Sequence, residues 1–187
     1  MPIILPKDLP AIETLKEEGI FAMTPERANI QAIRPLKIIL LNLMPTKIET
    51  EAQFTRLLSN TPLQVHLTFL NTESYKSKNI SQAHLSDFYT VFNDIKHEKF
   101  DGLIVTGAPV EHLKFEEVDY WKEIQEILKW SKTNVYATMH ICWGAQAALY
   151  HHYGIEKISY DRKLTGVFKQ RIQVKRPVDL LRGLDDV

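Results

Sequence analysis

The feature that most constrains this chain is its alternation of short apolar runs with longer segments of helical period. Four such runs are "LKIILLNL" from Leu36, "LQVHLTFL" from Leu63, "DGLIVTG" from Asp101 and "NVYATMHI" from Asn134. The first and third read as strands buried on both faces of a parallel sheet, the second alternates as a strand, and the last is a fourth strand. Between them, "TKIETEAQFTRLLSN" opens on Thr46 with Glu49 three residues later, the pattern of a capping box, and sets Ile48, Ala52, Thr55 and Leu58 on one face. "AHLSDFYTVFNDIKHEKF" reads as one amphipathic helix. "FEEVDYWKEIQEILKWSK" places Glu116, Glu117 and Asp119 near its start and Lys129 and Lys132 near its end, in accord with the helix dipole. Its apolar stripe is Val118, Trp121, Ile124 and Leu128. "GAQAALYHHYG" reads as a helix closed by Gly154.

This order predicts an α/β fold with helices on both faces of a parallel sheet. Residues 1–35 carry Pro2, Pro6, Pro10, Pro25 and Pro35 and read as an N-terminal arm packed on a core domain of residues 36–187. "KISY" and "GVFKQRIQVK" near the end read as shorter strands. Sites in such folds gather at the carboxyl ends of the strands, here "LMPTK", "NTES", "TGAPVE" and "HICWG".

Charge narrows the partners. Twenty-three basic and 23 acidic residues cancel, so bulk charge gives no reason to expect nucleic acid or an anionic membrane. A single cysteine rules out an internal disulfide and a cysteine-rich zinc site, and no metal is expected. The N-terminus meets Pro and charge within a few residues, without a signal-peptide apolar core, and the expected location is the cytoplasm.

That cysteine, Cys142, stands where a strand gives way to helix formers. A buried structural thiol is one reading. The other is a nucleophile on a tight strand-to-helix elbow, with the Trp143 backbone N–H aimed at a developing oxyanion, Gly144 relieving crowding and the helix N-terminus favouring thiolate. The "TGAP" loop would supply a second N–H from Ala108. The other candidates read as ordinary: His66, His84 and His97 as surface residues and His140 as a packed strand-end residue. His151 and His152 lie late in the elbow helix without metal-site spacing, and Tyr120, Trp121 and Trp130 read as core and rim.

The segments "LNLMPTKIETE", "NTPLQV", "KSKN", "FDGLIVTGAPVEHLKFEEVDYW", "SKTNVYATMHICWGAQAALYHHYGI" and "KLTGVF" resemble the homoserine O-acyltransferase family of methionine biosynthesis. That family comprises homoserine O-succinyltransferases and O-acetyltransferases on the class I glutamine amidotransferase-like fold. The resemblance implies that Cys142 accepts an acyl group from acyl-CoA as a thioester, which the L-homoserine hydroxyl then attacks in ping-pong order. It implies that Lys163 contacts homoserine, that Lys47 lines the pocket and that Glu111 governs donor choice. Succinyl-using relatives carry a small residue at that position, so acetyl-CoA is the expected co-substrate. No further cofactor is expected, and a homodimer is the candidate assembly. The family's general-base His and its orienting Glu lie well downstream of the cysteine. All seven histidines here lie at or before His152, so the chain reads as the N-terminal portion of a longer enzyme, inactive alone. Succinyl transfer, a glutamine amidotransferase-like cysteine hydrolase, recruitment of His151 or His152, and a non-catalytic flavodoxin-like module are the alternatives.

Overall fold

The computed structural model describes residues 2–75, 79–162, 164–169 and 181. Residues through Lys157 form one compact unit and Ile158–Val187 a second. The first unit is built on seven parallel strands: β1 (Ile3–Ile4), β2 (Ala22–Met23), β3 (Leu36–Leu41), β4 (Val65–Asn71), β5 (Tyr89–Val91), β6 (Phe100–Val105) and β7 (Val135–His140). Their order is β2-β1-β4-β3-β6-β7, and β5 pairs with β4. One edge of β4 is shared: β1 takes Val65 and His66, and β5 takes Phe69 to Asn71.

The four expected strands appear as β3, β4, β6 and β7, and the α/β parallel architecture is the predicted one. Helices α1 (Ala11–Glu17), α2 (Pro25–Asn29), α3 (Lys47–Ser59), α4 (Gln82–Phe88), α5 (Phe92–Ile95), α6 (Trp121–Asn134) and α7 (Trp143–Tyr153) complete the unit. Ile39, Leu41, Leu103 and Val105 face one core with α5, α6 and α7, while Leu40 and Ile104 face the other with α1 and α3. Adjacent residues of β3 and β6 thus bury in opposite directions, which is why these strands read as unbroken apolar runs.

Several expectations are corrected. The first 35 residues are woven into the sheet as β1 and β2, and Leu9, Ala11 and Leu15 belong to a core cluster. The predicted helix from Ala83 is interrupted, because Tyr89, Thr90 and Val91 pair with β4; aromatic and β-branched residues favour the pleated surface over a helical turn. α6 begins at Trp121 after a 3₁₀ turn at Phe115–Glu117, so Glu123, not Glu116, Glu117 or Asp119, stands in its first turn. At α3 the Thr46 side chain forms no cap, and the Thr50 hydroxyl donates instead to the Thr46 carbonyl at 2.8 Å. The buried positions of that helix are Lys47, Thr50, Glu51 and Thr55, while Ile48 is exposed. β7 pairs with β6 alone among the described residues, leaving Tyr136 and Met139 exposed. In the second unit, residues 158–162 and 164–169 form no strand, and the rest of "GVFKQRIQVK" lies outside the described residues.

Candidate active site

Cys142 ends the β7 turn and is the N-cap of α7, with φ 53° and ψ −119°. That left-handed φ is rare for a residue with a side chain and stores strain of the kind found at functional turns. The turn is held from both sides. Ile141 N–H donates to the Val105 carbonyl at 2.9 Å, and the Cys142 carbonyl accepts from Ala145 and Gln146 at 3.0 and 3.2 Å. A Cβ on Gly144 would lie 2.7 Å from the Thr106 carbonyl oxygen and 3.0 Å from that of Val105, so only glycine lets α7 start this close to the end of β6. The expected role of Gly144 as relief of crowding thereby gains a specific neighbour.

The thiol is exposed, and the "TGAP" loop lies against it. A Cβ on Gly107 would meet the Cys142 Cβ at 3.1 Å and its Sγ at 3.5 Å. Ala108 follows immediately and is buried. Neither the Ala108 nor the Trp143 N–H donates to another described residue. The Trp143 side chain is fully buried among Phe115, Tyr120 and Trp121, anchoring the first turn of α7. Thr106 fastens the loop to β3: its hydroxyl accepts from Leu43 N–H at 2.8 Å and donates to the Gly107 carbonyl at 3.0 Å.

A hollow of about 400 Å³ opens at the carboxyl ends of β3, β4 and β6. Asn42, Met44 and Lys47 line it after β3, Asn71, Thr72 and Tyr75 after β4, and Pro109, Val110 and Leu113 after β6. Lys47 thus lines the hollow from the start of α3. Cys142 and Glu111 do not line this hollow. Glu111 lies on the same post-β6 loop, with its carboxylate 3.7 Å from His112 Nε2. Lys163 lies outside the described residues.

Behind the hollow is a buried polar network that sequence reading missed. Lys47 Nζ donates to the Asn42 carbonyl and lies 5.3 Å from the Tyr89 ring centroid. Asn42 Nδ2 donates to the Tyr89 hydroxyl at 2.9 Å, and that hydroxyl donates to the Glu51 carboxylate at 2.6 Å. His84 Nε2 stands 3.0 and 3.2 Å from the same carboxylate, so His84 is a buried residue, not a surface one. Burial pushes the Lys47 ammonium down to about 8, with Glu51 pulling the other way. Burial, and then the Glu51 charge, push the Tyr89 phenol well above its ordinary value. The only signal in the sequence was the spacing of Lys47, Glu51 and Thr55, four residues apart on one helical face.

His140, half-buried at the end of β7, is held below the ordinary imidazole value by burial and then by His152. Its Nδ1 and that of His152 are buried with no hydrogen-bond partner among the described residues. Tyr120 and Trp121 are core residues, as expected. Among the described residues no helix is long and apolar enough to cross a membrane.

A parallel α/β sheet with an exposed cysteine on a strained strand-to-helix turn, packed against a glycine loop, defines the class: an α/β protein with a cysteine-bearing strand-to-helix turn at the carboxyl edge of its sheet. Residues 2–187 match the family model described as homoserine O-succinyltransferase. Homoserine O-acetyltransferase 1 of Ilyobacter polytropus is 59% identical over 186 residues, covering 100% of this chain and 61% of that protein. The homoserine O-acetyltransferases of Lysinibacillus sphaericus and of a Bacillus cereus strain are each 59% identical over 187 residues; all of this chain is covered, and 60% and 62% of theirs. The chain belongs to the homoserine O-succinyltransferase family. It spans about 60% of the length of these curated relatives.

Proposed function

We propose that the protein transfers an acetyl group from acetyl-CoA to the hydroxyl of L-homoserine through a thioester on Cys142. The observation that carries this reading is the elbow itself: an exposed cysteine at φ 53°, at the N-cap position of α7 and facing Gly107. The Cys142 thiolate attacks the acetyl-CoA carbonyl, the C–S bond to CoA breaks, and the CoA thiolate leaves and is protonated. The homoserine hydroxyl then attacks the enzyme thioester and gives up its proton, releasing O-acetyl-L-homoserine and the Cys142 thiolate. Two negatively charged tetrahedral intermediates form on the way. The Trp143 and Ala108 N–H groups, free of other partners among the described residues, are the donors assigned to them. The resemblance implies a downstream His as general base; no His follows His152 in this sequence, so the proton step is not assigned to a residue here.

Lys47 in the hollow, and Lys163 by resemblance, are assigned to substrate binding. The assignment of acetyl rests on the resemblance at Glu111, an exposed carboxylate on the loop after β6 beside which a succinyl carboxylate would meet like charge. The relatives at 59% identity carry the name O-acetyltransferase, which supports that choice. The transfer balances without a resident cofactor, and the cytoplasm is the location consistent with it. The test is to mix the protein, at the full length its gene encodes, with acetyl-CoA. The expected result is one acetyl group on Cys142 and release of one CoA; an adduct that persists unchanged in Cys142→Ala overturns the assignment.

A further inference from the structure

The loop after β6 is tied down by residues at the far end of the elbow helix. Lys157, three residues past the Gly154 cap of α7, donates from Nζ to the Glu111 carbonyl at 2.6 Å and to the Leu113 carbonyl. The same ammonium lies 5.0 Å from the Phe115 ring centroid. Phe115 in turn stacks on Tyr150 of α7, with centroids 4.5 Å apart and ring planes 16° from parallel. The Tyr150 hydroxyl donates to Glu116 at 2.6 Å. One helix therefore begins at the thiol and ends at a clasp on the loop that bears Glu111.

Lys157 spends its donors on two backbone carbonyls. Among the described residues it forms no ion pair within 4 Å, although the Glu111 and Glu117 charges act on it from farther off, and the Glu111 carboxylate lies 3.7 Å from the exposed His112. Holding the carbonyls of residues 111 and 113 fixes the backbone on either side of His112, and with it the direction in which residue 111 projects. A cation used this way sets geometry more than it neutralises charge. Arginine could make the same double donation, whereas methionine could fill the space over Phe115 but hold neither carbonyl.

We propose that Lys157 is a positioning residue for acyl-donor choice, acting through the backbone of Glu111. This rests on the acetyl-transfer reading above. The experiment measures acylation of Cys142 by acetyl-CoA and by succinyl-CoA in wild type, Lys157→Met, Lys157→Gln, Lys157→Arg, Glu111→Gly and the Lys157→Met/Glu111→Gly double variant, all at full genomic length. Lys157→Met is expected to lower the acetyl-over-succinyl ratio of kcat/KM roughly tenfold, the effect of releasing charge-assisted hydrogen bonds. Most of that change should lie in a faster reaction with succinyl-CoA. Lys157→Arg should restore the ratio, and the double variant should differ from Glu111→Gly alone by less than about twofold, because the two residues act in one chain. Lys157→Gln, which keeps one donor and a similar shape, should fall between wild type and Lys157→Met and reports if methionine proves too disruptive to fold. A wild type that acylates Cys142 with acetyl-CoA while both Lys157→Met and Lys157→Gln keep its ratio overturns this proposal alone. A wild type that takes neither donor overturns the acyltransferase reading together with it.

Discussion

Cys142 is held at a backbone conformation that costs roughly 1–3 kcal/mol for a residue bearing a Cβ. The surrounding bonds from Ile141, Ala145 and Gln146 over-determine it, so the strain persists in the folded state. Glycine adopts such a φ freely. Cys142→Gly and Cys142→Ala both remove the thiol, but Cys142→Gly should be the more stable of the two by about 1 kcal/mol in denaturant unfolding. Equal stability would mean the turn relaxes without strain. Lys47 makes a second residue-scale case. Its folded value of about 8 lies below the ordinary lysine value of 10.5, so between those limits the unfolded chain binds more protons and stability rises with pH. The cost of burying the charge is present in full below about pH 8 and fades towards pH 10.5. Lys47→Met should therefore gain up to about 3 kcal/mol over wild type at pH 7, less whatever the lost bond to Asn42 was worth, and the gain should shrink by pH 10. Denaturant curves at the two pH values check this. A gain that grows with pH would contradict the assigned direction. Cys142 was legible in the sequence because the strand, the thiol and Gly144 are contiguous. The Lys47 network was not, because its partners Asn42, Glu51, His84 and Tyr89 meet only after β3, α3, α4 and β5 pack.

At the scale of elements, the central strands were legible because burial on both faces leaves a continuous apolar signature. β1 and β2 are two residues each and β5 is three, too short for any period to show. The boundaries of α4 and α6 were misread because local periodicity says nothing of the sheet edge beside them. Capping is where the two levels separate most cleanly. Thr46 matches the capping pattern in sequence yet makes no cap bond, whereas Ser81 accepts the His84 N–H at 3.1 Å at the start of α4. Ser81→Ala should then cost about 1 kcal/mol and Thr46→Ala less than about 0.5 kcal/mol in thermal or denaturant unfolding. The reverse order would show that α3 is capped in solution by the box its sequence suggests. Ser81 also sits three residues before His84, so its loss is expected to loosen the edge of the buried Glu51 network.

For the molecule as a whole, the parts agree on one edge of the sheet. β6 delivers the glycine loop, β7 delivers the elbow, and β3 and β4 deliver the hollow with Lys47. α7 links the thiol at its start to the Glu111 loop at its far end through Tyr150 and Lys157. Fold class and family were both readable from the motifs, since a dense run of matching segments extends along the chain. The general base that the resemblance implies was not readable, because none of these 187 residues after His152 is a histidine. A covalent intermediate on Cys142 is central to the proposed transfer, and it is what should be measured. The protein at full genomic length is mixed with isotopically labelled acetyl-CoA, quenched, digested and read by mass spectrometry, with and without a chase of L-homoserine. The predicted result is labelled acetyl on Cys142 that disappears during the chase as labelled O-acetyl-L-homoserine appears. Label that remains on Cys142 through the chase, or product formed at the wild-type rate by Cys142→Ala, would contradict it.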